Sequence, residues 1–194
     1  MAKERSYFPW RLCGSFDLSR PLAGRSMRIT LIGGLIALFP MGDRADNVSE
    51  YSLKAAFIYN FAKFVEWPQE TDAVLRLCVL GEDPFGPTLD DLQDKPIGLR
   101  KLAVERLPSM ENLRRCRILF ISESESDKLP LILKAIEGSS ALTIADTESF
   151  LERGVMIGMT LDDNRITFEV NAGAARRAKL EISSKLLRLA KRVY

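Results

Sequence analysis

Three short apolar runs constrain the fold of this 194-residue chain more than any other feature: "LRLCVLG" at 75–81, "CRILFIS" at 116–122 and "SALTIAD" at 140–146. Each has the length of a strand, is rich in aliphatic residues, and closes on a glycine or a polar residue. Strands this uniformly apolar are covered on both faces, the situation of a parallel sheet. The segments between and after them supply the cover. "EDPFGPTLDDLQD" (82–94) reads as a loop and a short helix, "LPLILKAIEG" (129–138) as a helix ended by Gly138, and "TESFLERG" (147–154) as a helical turn. "IGLRKLAVERL" (97–107) reads as a further strand. The resulting expectation is an α/β domain, with a mostly parallel sheet and helices on both faces.

The ends of this pattern differ from its middle. In "VMIGMTLDDNRITFEVN" (155–171), Ile166, Phe168 and Val170 alternate with Thr167 and Glu169 around a turn at Asp162-Asp163-Asn164. That predicts an antiparallel hairpin at one edge of the sheet. After Asn171, a helix cap by type, Ala175, Ala178, Ile182, Leu186, Leu189 and Val193 recur at steps of three and four, which predicts a long C-terminal amphipathic helix. At the other end, "KAAFIYNFAKFVEWP" (54–68) holds five aromatic rings in fifteen residues. Leu53, Phe57, Asn60/Phe61 and Phe64 fall on one helical face, Asn47 and Glu50 have capping-box spacing, and Pro68 is the stop signal. Lys54, Lys63 and Glu66 interrupt the run, so it is not a membrane span. Phe57, Phe61, Phe64 and Val65 are expected against the sheet, and Tyr51, Tyr59 and Trp67 at its margins.

Residues 28–45, "RITLIGGLIALFPMGDRA", read as an export signal: a basic flank at Arg28, eleven mostly apolar residues from Ile29 to Phe39, then Pro40 and Gly42. Eleven residues are too few for a bilayer, which needs roughly 20. Residues 1–45 are therefore an N-terminal extension and signal peptide, with Met27 a more usual start than Met1, and 46–194 form a single domain. No cysteine lies just after the apolar stretch to carry a lipid. Cleavage near Ala45 would remove Cys13 and leave Cys78 and Cys116 as a pair in an oxidising compartment. If their two strands are neighbours, the side chains can meet and close a loop of 38 positions, worth about 4 kcal/mol on a chain-entropy model. Two buried free thiols are the alternative.

Composition removes several chemistries. The chain contains no histidine, which excludes Ser-His-Asp triads, Cys-His dyads and most zinc sites. Residues 1–45 hold seven Lys/Arg and three Asp/Glu, which leaves 21 basic against 23 acidic residues from 46 onward. A domain so near neutrality is a poor nucleic-acid binder. "GEDPFG" (81–86) follows a strand but lacks the Lys-Ser/Thr of a phosphate loop, and Glu82 and Asp83 would repel a phosphate. Asp162 and Asp163 suit a turn better than a metal. Ser124, Glu125 and Ser126 form a polar loop with no base to activate a serine. Arg176, Arg177, Lys179, Lys185, Arg188, Lys191 and Arg192 make the C-terminal segment basic; a solvated face is the plain reading, and an acidic partner or lipid head groups the other. The residues alone thus lead to an exported α/β domain, not an enzyme, with no catalytic or metal site and no cofactor.

"KAAFIYNFAKFVEWP", "LCVLGEDPFG", "CRILFIS" and "RITFEVNAGAARRAKLEISSKLLRLAKRV", in this order, resemble the YfiR family. The resemblance runs from about Tyr51 to the end of the chain. It implies a periplasmic regulator of Gram-negative bacteria that binds the periplasmic sensor domain of a membrane-bound diguanylate cyclase, represses it, and lowers cyclic-di-GMP output. It also implies a homodimer and a disulfide-bonded, redox-responsive protein, which fits Cys78 with Cys116; no second cysteine pair is available for a second bridge. Carried onto this chain, the partner-binding residues are Glu169 and Asn171 of "FEVN", with Arg176 and Ser183 beyond them. A periplasmic small-ligand-binding module serving another membrane sensor, such as a histidine kinase, is the alternative; it expects a pocket near Glu169 and the last helix.

Overall fold

The computed structural model describes residues 49–68 and 73–194. The expected extension and export signal, Cys13 and Asn47 lie outside the described residues. The first helix, α1 (Glu50–Phe64), is capped by Ser49, whose Oγ accepts from the Ser52 N–H at 3.2 Å. It ends at Phe64, ahead of Pro68, because Val65–Glu66 (β1) turns extended and pairs antiparallel with Glu181–Ile182 (β9). Between them run β2 (Val74–Leu80), α2 (Pro87–Asp90), β3 (Pro96–Ile97), β4 (Arg100–Leu107), β5 (Ile118–Ile121), α3 (Leu129–Ala135), β6 (Leu142–Ala145), α4 (Glu148–Glu152), β7 (Ile157–Asp162), β8 (Arg165–Val170) and α5 (Ala172–Arg177). After β9 come α6 (Ser184–Leu187) and β10 (Arg192–Val193).

Eight of these strands form one sheet in the order β10-β8-β7-β6-β5-β2-β4-β3. The five central strands, β4-β2-β5-β6-β7, are mutually parallel, as the apolar runs require. The hairpin is present: β8 returns antiparallel to β7 through Asp163 and Asn164, both with positive φ, which is the turn that matches strand twist. Along each buried strand, alternate residues feed two separate cores. Leu75, Leu77 and Val79 of β2 join Ile118 and Phe120 of β5 under α1 and the C-terminal segment. Cys78 and Leu80 join Leu119 and Ile121 under α3 and α4.

The aromatic helix buries a face slightly rotated from the expected one. Lys54, Ala55, Ile58, Phe61 and Ala62 are buried, Phe57 and Phe64 are partly covered, and Asn60 is exposed. Trp67 is buried rather than marginal, with its Nε1 donating to the Arg117 carbonyl at 3.3 Å and the Arg100 guanidinium 5.2 Å from its ring.

The long C-terminal helix does not form. Lys179 takes a left-handed conformation (φ 60°), the Leu180 N–H donates to the Ala175 carbonyl and the Lys179 N–H to that of Arg176. These are the two bonds of a Schellman stop, closed by the buried Leu180 and Ala175. Past it, Glu181–Ile182 is taken by β1, Ser183 opens the one-turn α6, and the chain ends as β10, parallel to β8.

Candidate functional site

In open α/β sheets, ligands bind beyond the carboxyl ends of the strands, where the chain connections diverge. Here β2 leads to β4 on one side, while β5 lies on the other side and leads on to β6. The loops leaving β2, β5 and β6 and the first turns of α1 enclose a cleft of about 550 Å³ at that point. Glu50, Tyr51 and Lys54 come from α1, Glu82, Asp83 and Pro84 from the loop after β2, Ser122 to Ser124 from the loop after β5, and Asp146 from the end of β6.

The centre of this cleft is Lys54. Its side chain is only 4% exposed, and its Nζ donates to Asp146 at 2.8 Å and pairs with Glu50 one helical turn back at 2.5 Å. Tyr51 donates from its hydroxyl to the same Asp146 oxygen at 3.2 Å, and the Lys54 ammonium lies 4.6 Å from the Tyr51 ring centre. Burial works against the Lys54 charge, yet hydrogen bonds to Asp146 and Glu50 outweigh it and hold the ammonium pKa above its ordinary value. Burial, and then the charge of Asp146, raises the Tyr51 phenol. The Tyr51 ring meets Phe85 edge-on at 5.4 Å and Phe85 meets Phe120 at 4.8 Å, which anchors the cleft on the aromatic core.

The loop after β2 is fixed by its own geometry. Gly81 has φ +91°, and a Cβ there would stand 2.5 Å from Ser124 Oγ, so only glycine fits. Asp83 accepts from the Phe85 N–H at 2.8 Å and from Arg106 at 2.6 Å, and Arg106 reaches on to Asp90 and to the Gly86 carbonyl. "GEDPFG" is thus a strand-to-helix turn. Among the described residues, no group of three His, Cys, Asp or Glu is placed to hold a metal ion. No described helix is long and apolar enough to cross a membrane.

Cys78 and Cys116 are joined by a disulfide between mid-β2 and the residue two before β5, with Cα atoms 5.8 Å apart. Neither residue is exposed. The bond closes a loop of 38 positions that contains α2, β3 and β4. Register explains the meeting: β2 and β5 are adjacent parallel strands, with Leu77 opposite Ile118.

The four residues expected at a partner surface lie along one stretch from the end of β8 to α6, but each has a different setting. Glu169 accepts from the Tyr194 hydroxyl at 2.8 Å, and that hydroxyl in turn accepts from Arg192. Asn171 caps α5, its Oδ1 accepting from the Ala174 N–H at 2.8 Å. Arg176 is exposed beside a groove of about 360 Å³ walled by Leu180, Ile182 and Leu187. The Ser183 N–H donates to the Phe64 carbonyl at 2.9 Å, while its buried hydroxyl has no partner among the described residues. Among the described residues, no hydrogen bond or ion pair joins any two of the four. The seven basic residues of the C-terminal segment are all exposed. Lys54 and Asp146 escaped the sequence reading, since they stand 92 positions apart and Lys54 reads as a break in an apolar run; its only local signal is Glu50 four residues before it.

A family model described as YfiR/HmsC-like matches residues 51–191. The chain belongs to the YfiR/HmsC-like family. Members of that family are periplasmic regulators of cyclic-di-GMP signalling, regulatory rather than catalytic. One solved structure agrees with the fold. The ABC domain in complex with L-Trp from Streptococcus pneumonia superposes with a TM-score of 0.51 at 9% identity, over 74% of this chain and 60% of that one. A conserved domain protein from Vibrio cholerae O1 biovar El Tor gives 0.49 at 10% identity, over 75% and 60%. This YfiR/HmsC-like chain therefore spans about three fifths of the length of both.

Proposed function

We propose that the protein is exported to the periplasm, where it binds the periplasmic sensor domain of a membrane diguanylate cyclase and represses it. The match to the YfiR/HmsC-like family over residues 51–191 carries this reading. It is supported by the bridged Cys78–Cys116 pair, which suits an oxidising compartment. The surface we assign to the partner runs from Glu169 and Asn171 to Arg176 and Ser183, in a stretch of the chain that carries exposed cations an acidic surface would attract. A homodimer is part of the reading.

Deleting the gene in a host that keeps the cyclase should raise cyclic-di-GMP and biofilm, and the wild-type gene should restore both. Arg176→Glu should fail to restore them at equal protein level. Unchanged cyclic-di-GMP in the deletion would remove the reading. Sedimentation of the full chain tests the dimer; a monomer throughout the micromolar range would exclude it. The second reading, a ligand-binding module serving another sensor, is favoured by the groove beside Arg176. A thermal-shift screen of metabolites, with Arg176→Ala as control, distinguishes it.

A further inference from the structure

Charge is distributed unevenly along the domain. Residues 172–194 hold seven Lys/Arg and one acid, Glu181, whereas residues 46–171 hold 14 Lys/Arg and 22 Asp/Glu. All seven of these cations are exposed. Lys191 pairs with Asp162 at 2.7 Å and Arg192 donates to the Tyr194 hydroxyl, but among the described residues Lys185 and Arg188 meet no acid.

α6 sets those two cations beside an apolar side chain. Its turn continues past Leu187, with the Arg188 N–H donating to the Ser184 carbonyl at 3.2 Å and the Leu189 N–H to that of Leu186 at 3.0 Å. Residues three and four apart on such a turn are neighbours. Leu186 is buried, and Leu187 and Ala190 pack partly covered against the same core. Lys185, Arg188 and Leu189 take the other side, all exposed, Leu189 to 72%. Of the six large apolar side chains left exposed among the described residues, three are Leu189, Val193 and Tyr194. Uncovered apolar groups thus concentrate in the segment that carries the excess of positive charge.

We propose that this face, formed by Lys185, Arg188 and Leu189, docks the protein on an anionic lipid surface. Phosphate head groups attract the two unpaired cations. The long apolar stems of lysine and arginine let their charged ends stay at the phosphates while Leu189 enters the interfacial layer. The core of a protein interface is depleted in lysine and led by aromatic anchors; a single protruding leucine beside unpaired Lys and Arg has instead the make-up of a lipid contact. A contact of one helical turn is reversible and sensitive to salt. It shares no residue with the surface assigned to the partner, Glu169, Asn171, Arg176 and Ser183, and it would hold the protein at the membrane in which that partner lies.

Co-sedimentation of the full chain with vesicles tests it. Vesicles of phosphatidylethanolamine and phosphatidylglycerol supply the anionic surface, and vesicles of phosphatidylcholine alone the neutral one. Every variant keeps residues 1–48 unchanged, so its difference from wild type belongs to this face. On anionic vesicles at low salt, Lys185→Glu/Arg188→Glu should bind about tenfold or more weakly than wild type. Leu189→Ser should bind several-fold more weakly, with thermal midpoints unchanged in both. High salt should close the gap between wild type and the charge variant, and phosphatidylcholine should show none. Undiminished binding by either variant, no binding of wild type to anionic vesicles, or an equal gap on phosphatidylcholine would each overturn the proposal. Tighter binding to soluble poly-aspartate than to the vesicles would overturn it too, and assign the face to an acidic protein. The vesicles hold no cyclase, so failure here leaves the reading of repression standing.

Discussion

On one face of the sheet, α1 from the start of the domain and α5 and α6 from its end close over Leu75, Leu77, Ile118 and Phe120. On the other face, α3 and α4, which connect β5 to β6 and β6 to β7, close over Leu80, Leu119 and Ile121. The first face is rich in rings. Phe57, Phe61 and Phe168 meet at 5.0–6.0 Å, and Phe85 meets Phe120. The second has Phe150 among its buried residues, and carries the disulfide. Segments remote in sequence hold one side by aromatic packing; local crossovers hold the other, with a covalent tie in place of large rings. The remote side bears the larger loop-closure cost, and it needs the larger apolar contact to offset it.

Four measurements can break or sharpen that contrast. The largest effect is expected from Phe61→Ala, which removes a fully buried ring touching Phe57 and Phe168; urea denaturation should show a loss of about 3–5 kcal/mol. Removing the tie from the opposite face, as Cys78→Ala/Cys116→Ala, should cost about 2–4 kcal/mol. A smaller loss for Phe61 than for the bridge would reverse the proposed division. Lys54→Met should cost about 1–3 kcal/mol, since it strands a carboxylate at Asp146 that is 11% exposed, while Glu50 at 35% can turn to water. Because the folded-state pKa of Lys54 is raised above 10.5, its contribution is complete at neutral pH and fades only as pH climbs through the raised value. The gap between wild type and Lys54→Met should thus be flat from pH 6 to 9 and narrow in strong alkali. The smallest change is Trp67→Phe, which gives up one hydrogen bond to the Arg117 carbonyl and should cost about 0.5–1.5 kcal/mol.

The same contrast explains what could be read in advance. The second face is local, so the runs at 75–81, 116–122 and 140–146 and the helices between them sufficed to order it. Cys78 and Cys116 could be paired because one sits on β2 and the other leads into its neighbour β5. The first face depends on meetings that no local pattern announces. α1 shifts its buried stripe toward Ala55, Ile58 and Ala62 because the sheet, and not helical spacing alone, chooses the face. The C-terminal periodicity at 175–193 is real but shared among four short elements. Lysine, not glycine, takes the left-handed position at 179, so the stop carries no sequence mark. Lys54 is legible only once Asp146 is beside it.

The bridge between Cys78 and Cys116 has a further consequence under mechanical load. A chain pulled from its two ends transmits force through the bond and bypasses everything between the cysteines, including β3 and β4. Those 38 positions would add about 130 Å of extended chain if free. Oxidised and reduced molecules stretched singly should differ in released length by that amount, so a ruler, rather than a thermometer, reports the state of the bridge.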